Sequence, residues 1–175
     1  NFTTLLKGAV EKNNSLLCVG LDADLNKIPT HIAKQPDPLF VFNKAIVDAT
    51  ADIVCAYKPN SAFYEAEGPE GIRQLKLTVD YIHQTYPALP VILDAKRGDI
   101  GNTNDKYIEF IYTYLGVDAV TLHPYLGGES LEPFLTRADK GAIIMCRNSN
   151  PGAGELQDLV VEGRPLYEYM AKHIS

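Results

Sequence analysis

Along this chain, short apolar runs alternate with amphipathic stretches of helical period. Residues 16–21, 53–57, 91–94, 118–122 and 141–145 are brief and dominated by Val, Ile, Leu, Ala and Cys, as expected of strands buried on both faces. Between the first two, residues 37–50 place Phe40, Ala45, Ile46 and Ala49 at near-helical spacing, with Pro38 at the start of the helix. Residues 68–84 carry Ile72, Leu75, Val79 and Ile82 on one face. Further helices are predicted over 102–115, 129–138 and 165–174.

Strict βα alternation implies a parallel sheet, either doubly wound or closed into a barrel. A doubly wound nucleotide fold usually has a glycine-rich turn after its first strand. Here that turn is Gly20-Leu21-Asp22-Ala23-Asp24, acidic and poor in glycine. Polar groups recur instead at successive strand ends: Asp22, Lys58, Asp94 with Lys96, and His123. That ring of functional groups predicts an α/β (β/α)8 TIM barrel. A complete barrel takes roughly 250 residues. The expectation is therefore one domain over 1–175, the N-terminal portion of a barrel with about the first five βα units. Its C-terminal strands and phosphate-binding loop would lie outside a chain that opens on Asn1 and not Met.

Composition narrows the functional classes. Hydrophobic residues make up 46% and charged residues 22%, a globular balance that contains no span apolar enough to cross a bilayer. The net charge of -6 disfavours nucleic-acid and acidic-membrane surfaces, which require clustered Lys and Arg. Cys18, Cys55 and Cys146 are odd in number, far apart and set in apolar runs. They read as buried thiols of a cytoplasmic protein, with no metal-ligand spacing.

The most informative stretch is Leu93-Asp94-Ala95-Lys96-Arg97-Gly98-Asp99-Ile100-Gly101-Asn102-Thr103. On an extended strand, Asp94 and Lys96 point the same way, a carboxylate beside an ammonium at the strand's C-terminal end. A lone Asp-x-Lys pair reads equally well as a strand-end salt bridge. Asp99 in the following Gly98/Gly101 turn favours a catalytic Asp/Lys/Asp cluster. His123 is expected to face the barrel mouth, more as hydrogen-bonded scaffold than as a catalyst. The Asn150-Pro151-Gly152-Ala153-Gly154 turn lacks the Lys-Ser/Thr ending of a phosphate cradle and reads as an ordinary flexible loop.

With Val19-Gly20-Leu21-Asp22, Tyr57-Lys58-Pro59-Asn60 and Arg147-Asn148-Ser149-Asn150-Pro151-Gly152, this motif resembles orotidine 5'-phosphate decarboxylase, most nearly its bacterial branch. The resemblance implies a (β/α)8 barrel, a homodimer with shared active sites, no metal and no organic cofactor. Its substrate would be the nucleotide orotidine 5'-phosphate, decarboxylated to uridine 5'-phosphate in pyrimidine biosynthesis. By that resemblance, Lys96 would stabilise and protonate a carbanion at C6. Asp94 would crowd the substrate carboxylate, and Lys58 would hold Asp94 and reach the ribose. Asp22 would accept hydrogen bonds from the ribose hydroxyls, with Asn60 in support or in a purely structural role. Asp99, Ile100 and Thr103 would reach into the partner subunit's site, and Ser149 would read the pyrimidine edge. The family's phosphate-gripping Arg and Gln have no matching motif among Arg137, Arg147 and Arg164.

Three rival readings remain. A magnesium-dependent hexulose-phosphate synthase shares Asp-x-Lys-x-x-Asp, although Arg97-Gly98 and Ile100-Gly101-Asn102-Thr103 favour the decarboxylase. A Schiff-base aldolase could use Lys58 or Lys96. From a different class, the chain could be a noncatalytic ligand-binding half-barrel with open parallel edges.

Overall fold

The computed structural model describes residues 1–174. Five parallel strands run in chain order: β1 (Cys18–Gly20), β2 (Ala56–Lys58), β3 (Ile92–Arg97), β4 (Ala119–Leu122) and β5 (Gly141–Ile144). β1 pairs with β2 in the register Cys18↔Ala56 to Gly20↔Lys58, and β3, β4 and β5 form the other ladder. The two ladders join through the parallel bridges Tyr57↔Val91 and Asn60↔Asp94, closed by Tyr57 N–H to Pro90 O and Asp94 N–H to Pro59 O. Each strand therefore neighbours the next, and every crossover carries a helix. This is a five-stranded arc of a βα barrel, with all the C-terminal strand ends on one rim.

The helices are α1 (Phe2–Asn13), α2 (Thr30–Ala33), α3 (Pro38–Thr50), α4 (Ser61–Glu65), α5 (Gly68–Thr85), α6 (Gly101–Ile108), α7 (Gly128–Leu135), α8 (Gly154–Gln157) and α9 (Leu166–Ile174). α6 continues into a π-helical segment, Glu109–Leu115, which ends at Gly116 with φ 80°. The predicted helix over 129–138 stops at Leu135, after an internal Pro133.

The interior is apolar, with Val47, Tyr57, Leu75, Val79, Ile82, Leu93, Ile111, Leu115 and Leu122 fully buried. Side chains satisfy most of the polar groups enclosed with it, Asn43 Oδ1 being an exception. Gln74 Oε1 accepts from the N–H groups of Leu39 and Phe40 and so caps α3 from α5. Tyr64 OH donates to Leu21 O at 2.5 Å and accepts from Asn43 Nδ2 at 2.8 Å. Burial pushes the Tyr64 phenol well above its ordinary range, keeping it a neutral donor.

α1 had no counterpart in the predicted elements. Its Ala9 is buried, and Phe2, Leu6 and Val10 pack against the core. Phe2 N–H donates to Asp139 O just before β5, while Asn13 Nδ2 donates to Ala51 O and Val54 O just before β2. The helix thus crosses the N-terminal rim of the arc as a chord.

Two further expectations are corrected, and one element is new. The segment 150–154, expected as an ordinary loop, is a 3-10 turn, Pro151–Ala153, running into α8, because Pro151 presets a helical φ at its start. A short antiparallel hairpin, β6 (Val160–Val161) with β7 (Arg164–Pro165), precedes α9, turning through Glu162 and Gly163 at positive φ. Cys55 is buried but Cys18 is exposed, because β1 lies at an edge of the arc. Among the described residues, no helix is long and apolar enough to cross a membrane.

Candidate active site

The strand ends on the C-terminal rim gather the charged residues. Lys58, at the end of β2, places Nζ 3.0 Å from Asp94 Oδ2. Lys96, two residues on from Asp94 in β3, places Nζ 2.6 Å from Asp94 Oδ1. Asp94 is thus the shared carboxylate of two ammonium groups, with its side chain only 12% exposed against 34% for Lys58 and 48% for Lys96. Burial works to raise the Asp94 carboxyl, but hydrogen bonds from Lys96, Lys58 and Thr121 outweigh it and hold the group below its ordinary range. A carboxylate kept ionised between two cations, beside a more exposed ammonium, can repel an incoming anion and present a proton donor next to it.

Lys96 does not stand where simple alternation would put it. Leu93 pairs with Val120 but Arg97 pairs with Leu122, so β3 spends two extra residues against β4. Lys96 sits in that bulge with φ 48°, a left-handed conformation uncommon for a residue with a long side chain. The bulge is tied down by Thr121 in β4, whose Oγ1 accepts the N–H groups of Ala95 and Lys96, each at 3.0 Å, and donates to Asp94 Oδ1 at 2.9 Å. Sequence reasoning missed Thr121, because inside Ala119-Val120-Thr121-Leu122 it reads as one more β-branched strand residue.

The remaining candidates fall into three groups. Asp22 is exposed just past β1, and Leu21 N–H donates to Lys58 O beside it. Asn60, just past β2, caps α4 by accepting from Ala62 N–H at 3.1 Å, which is a structural role. Asp99, Ile100 and Thr103 occupy the turn into α6. Asp99 Oδ1 accepts from Ile100 N–H at 2.7 Å, and Asn104 pins the turn by bonding both Asp99 N–H and O. Among the described residues, no ion pair joins Asp99 to Lys96 within the chain. Ile100 is 67% exposed, an apolar side chain presented to solvent at this rim.

Ser149 is exposed beyond β5, in a segment held by Arg147 against Asp158 and by Asn148 N–H on Gln157 Oε1. Arg147 is therefore engaged locally. His123 follows β4 with its N–H on Arg97 O, and its ring lies under Gly98: a Cβ there would come within 2.9 Å of His123 O and 3.2 Å of Nε2. Arg97 itself turns toward Glu65, with which it pairs, and lies over the Tyr107 ring. A cavity of about 440 Å³ lies between the β6–β7 hairpin and α9, lined by Glu162, Arg164, Tyr169, Lys172 and His173 among others, and includes none of the strand-end cluster. Among the described residues, no group of three or more His, Cys, Asp or Glu side chains is placed to hold a metal ion.

Residues 15–174 match the model of the orotidine 5'-phosphate decarboxylase / HUMPS family. The chain is 51% identical over 174 residues to the orotidine 5'-phosphate decarboxylase of Thermomicrobium roseum, covering 98% of this chain and 61% of that protein. To the enzyme of the same name from Azoarcus sp. it is 47% identical over 175 residues, covering 64% of that protein. The structure of Leishmania donovani OMP decarboxylase superposes with a TM-score of 0.85 at 36% identity, over 98% of this chain and 63% of the other. The chain thus spans about three fifths of the length of the curated relatives it matches.

Proposed function

This chain belongs to the orotidine 5'-phosphate decarboxylase / HUMPS family, and from that premise we propose that the protein carrying it converts orotidine 5'-phosphate to uridine 5'-phosphate. The observation that carries the reading is the Lys58–Asp94–Lys96 array at the strand ends. The substrate carboxylate on C6 enters beside Asp94, already ionised and flanked, and is repelled by it. The C6–carboxylate bond breaks heterolytically, CO2 leaves and the electron pair stays on C6. Lys96, the most exposed member of the array, opposes that negative charge and then transfers its ammonium proton to C6. No step requires a metal or an organic cofactor.

Asp22 and Lys58 suit the ribose hydroxyls, and Ser149 the pyrimidine edge. Asp99 makes its bonds within its own turn, beside the exposed Ile100 and the half-buried Thr103. We assign these three to the active site of a second copy of the chain, where Asp99 would extend the array by one carboxylate. The site is then completed by dimerisation, within a single domain over 1–175 that supplies the first five strands of the barrel. Free cysteines accord with a cytoplasmic setting.

The test is decarboxylation of orotidine 5'-phosphate in excess EDTA, followed by loss of substrate ultraviolet absorbance, with Lys96→Ala as control. Turnover by the wild type alone supports both the reaction and the role of Lys96. No turnover until magnesium is added, with hexulose-phosphate chemistry appearing then, moves the protein to the other branch of its family.

A further inference from the structure

The bulge in β3 raises a problem that one side chain solves. Slippage of the β3–β4 register between Leu93 and Arg97 leaves the N–H groups of Ala95 and Lys96 facing β4 without a carbonyl partner. Both point instead at Thr121 Oγ1, at 3.0 Å each. A hydroxyl has one proton and two lone pairs. With two N–H donors on its oxygen, the Thr121 proton can go only to the remaining neighbour, Asp94 Oδ1, at 2.9 Å. Thr121 as a residue is only 8% exposed.

The same carboxylate oxygen receives Lys96 Nζ at 2.6 Å. Thr121 thus touches both ends of Lys96: its backbone directly, and its ammonium through the oxygen that receives it.

We propose that Thr121 is the positioning residue of this site, fixing the left-handed backbone of Lys96 and the rotamer of Asp94 through one fully used hydroxyl. Resting on the functional reading above, this assigns Thr121 to the placement of the proton donor and not to contact with substrate. A residue of this kind affects the rate of the chemical step more than substrate affinity, because the ammonium must lie within reach of C6 when charge develops there.

The experiment compares wild type, Thr121→Val and Thr121→Ser. Valine keeps the shape and loses all three hydrogen bonds; serine keeps the hydroxyl and loses the methyl. Thr121→Val is expected to lower kcat about ten- to hundredfold with little change in KM, and Thr121→Ser to restore most of it. Amide hydrogen exchange at Ala95 and Lys96 should accelerate in the valine variant, and the Asp94 carboxyl should titrate at higher pH. Unchanged exchange in Thr121→Val overturns the proposal, as does faster exchange with an undiminished kcat. Equal loss in the valine and serine variants overturns it too, since packing of the methyl would then be responsible. A wild type that does not act on orotidine 5'-phosphate removes the functional reading. Exchange and the Asp94 titration then decide the positioning role alone, either way.

Discussion

Lys96 Nζ lies 2.6 Å from Asp94 Oδ1 although the backbone between the two residues is a bulge and Lys96 has φ 48°. An extended strand would also put the two side chains on one face, so the contact is expected while the path to it is not. The difference matters for chemistry. A bulge re-aims a side chain, and here it sets the ammonium at the rim while Asp94 stays largely enclosed.

Replacing Lys58 with Met removes one of the two cations on Asp94 and leaves Lys96 in place. The Asp94 carboxyl, held below its ordinary range by hydrogen bonds from both lysines and Thr121 against the opposing effect of burial, should then titrate at higher pH. In the proposed mechanism the ionised carboxylate is the working form, so the acid limb of the pH–rate profile should move upward. An acid limb in the same place as in the wild type would show that Lys58 does not maintain the charge of Asp94.

Mixed dimers test the assignment of Asp99. Lys96→Ala and Asp99→Ala should each be inactive alone. If Asp99 acts on the partner's site, co-refolded mixtures contain heterodimers with one intact site and regain activity toward about a quarter of wild type, as expected for random pairing with independent sites. Absence of any recovery would return Asp99 to a local role in its turn.

Gly98→Ala should impair the site by displacing the turn that carries Asp99. Gly98 has φ 155°, and an added Cβ would press on His123 O at 2.9 Å, a backbone atom that cannot swing away. A cost of about 1–3 kcal/mol in stability is expected. Denaturant unfolding measures it, and an unchanged midpoint would mean the turn relaxes freely.

On the opposite rim, Asp118 Oδ2 accepts from His83 Nε2 at 2.9 Å and from Val91 N–H at 2.8 Å. Burial opposes its ionisation, but these two donors outweigh it and keep the carboxyl below its ordinary value. The stabilisation is therefore present above the unfolded-state value near ~4 and is lost as the pH falls through the folded value. Asp118→Asn should cost about 1–2 kcal/mol at pH 7, and the deficit should vanish in acid. A deficit constant from pH 7 to pH 2 would show that charge is not responsible.

Much of the architecture was legible because buried parallel strands write themselves as apolar runs, and the helices between them show one apolar face. The site was legible where charge interrupts those runs, at Lys58, Asp94 and Lys96. Other features left weaker traces. Thr121 is chemically unremarkable until a register slip brings two orphaned N–H groups to it, a tertiary event with no local signature. Asn60 reads as a polar group at a strand end, and only the presence of α4 reveals it as a cap. α1 does carry helical spacing in Phe2, Leu5, Leu6, Ala9 and Val10, but a helix ahead of the first strand has no place in a strict βα alternation. In the 150–154 segment, Pro and Gly signal a turn without stating whether it is helical.

The chord helix across the N-terminal rim has a mechanical consequence for the opposite one. At 1.5 Å per residue, α1 is a stiff rod of about 18 Å, anchored at Asp139 beside β5 and at Ala51 and Val54 beside β2. Like the string of a bow, it ties together the two ends of the curved run from β2 through β5. The gap between Lys58 on one stave and Asp94 on the next is a function of that curvature. The expected consequence is that a change at Phe2, wedged against Gly141, alters the spacing of charges at the far rim.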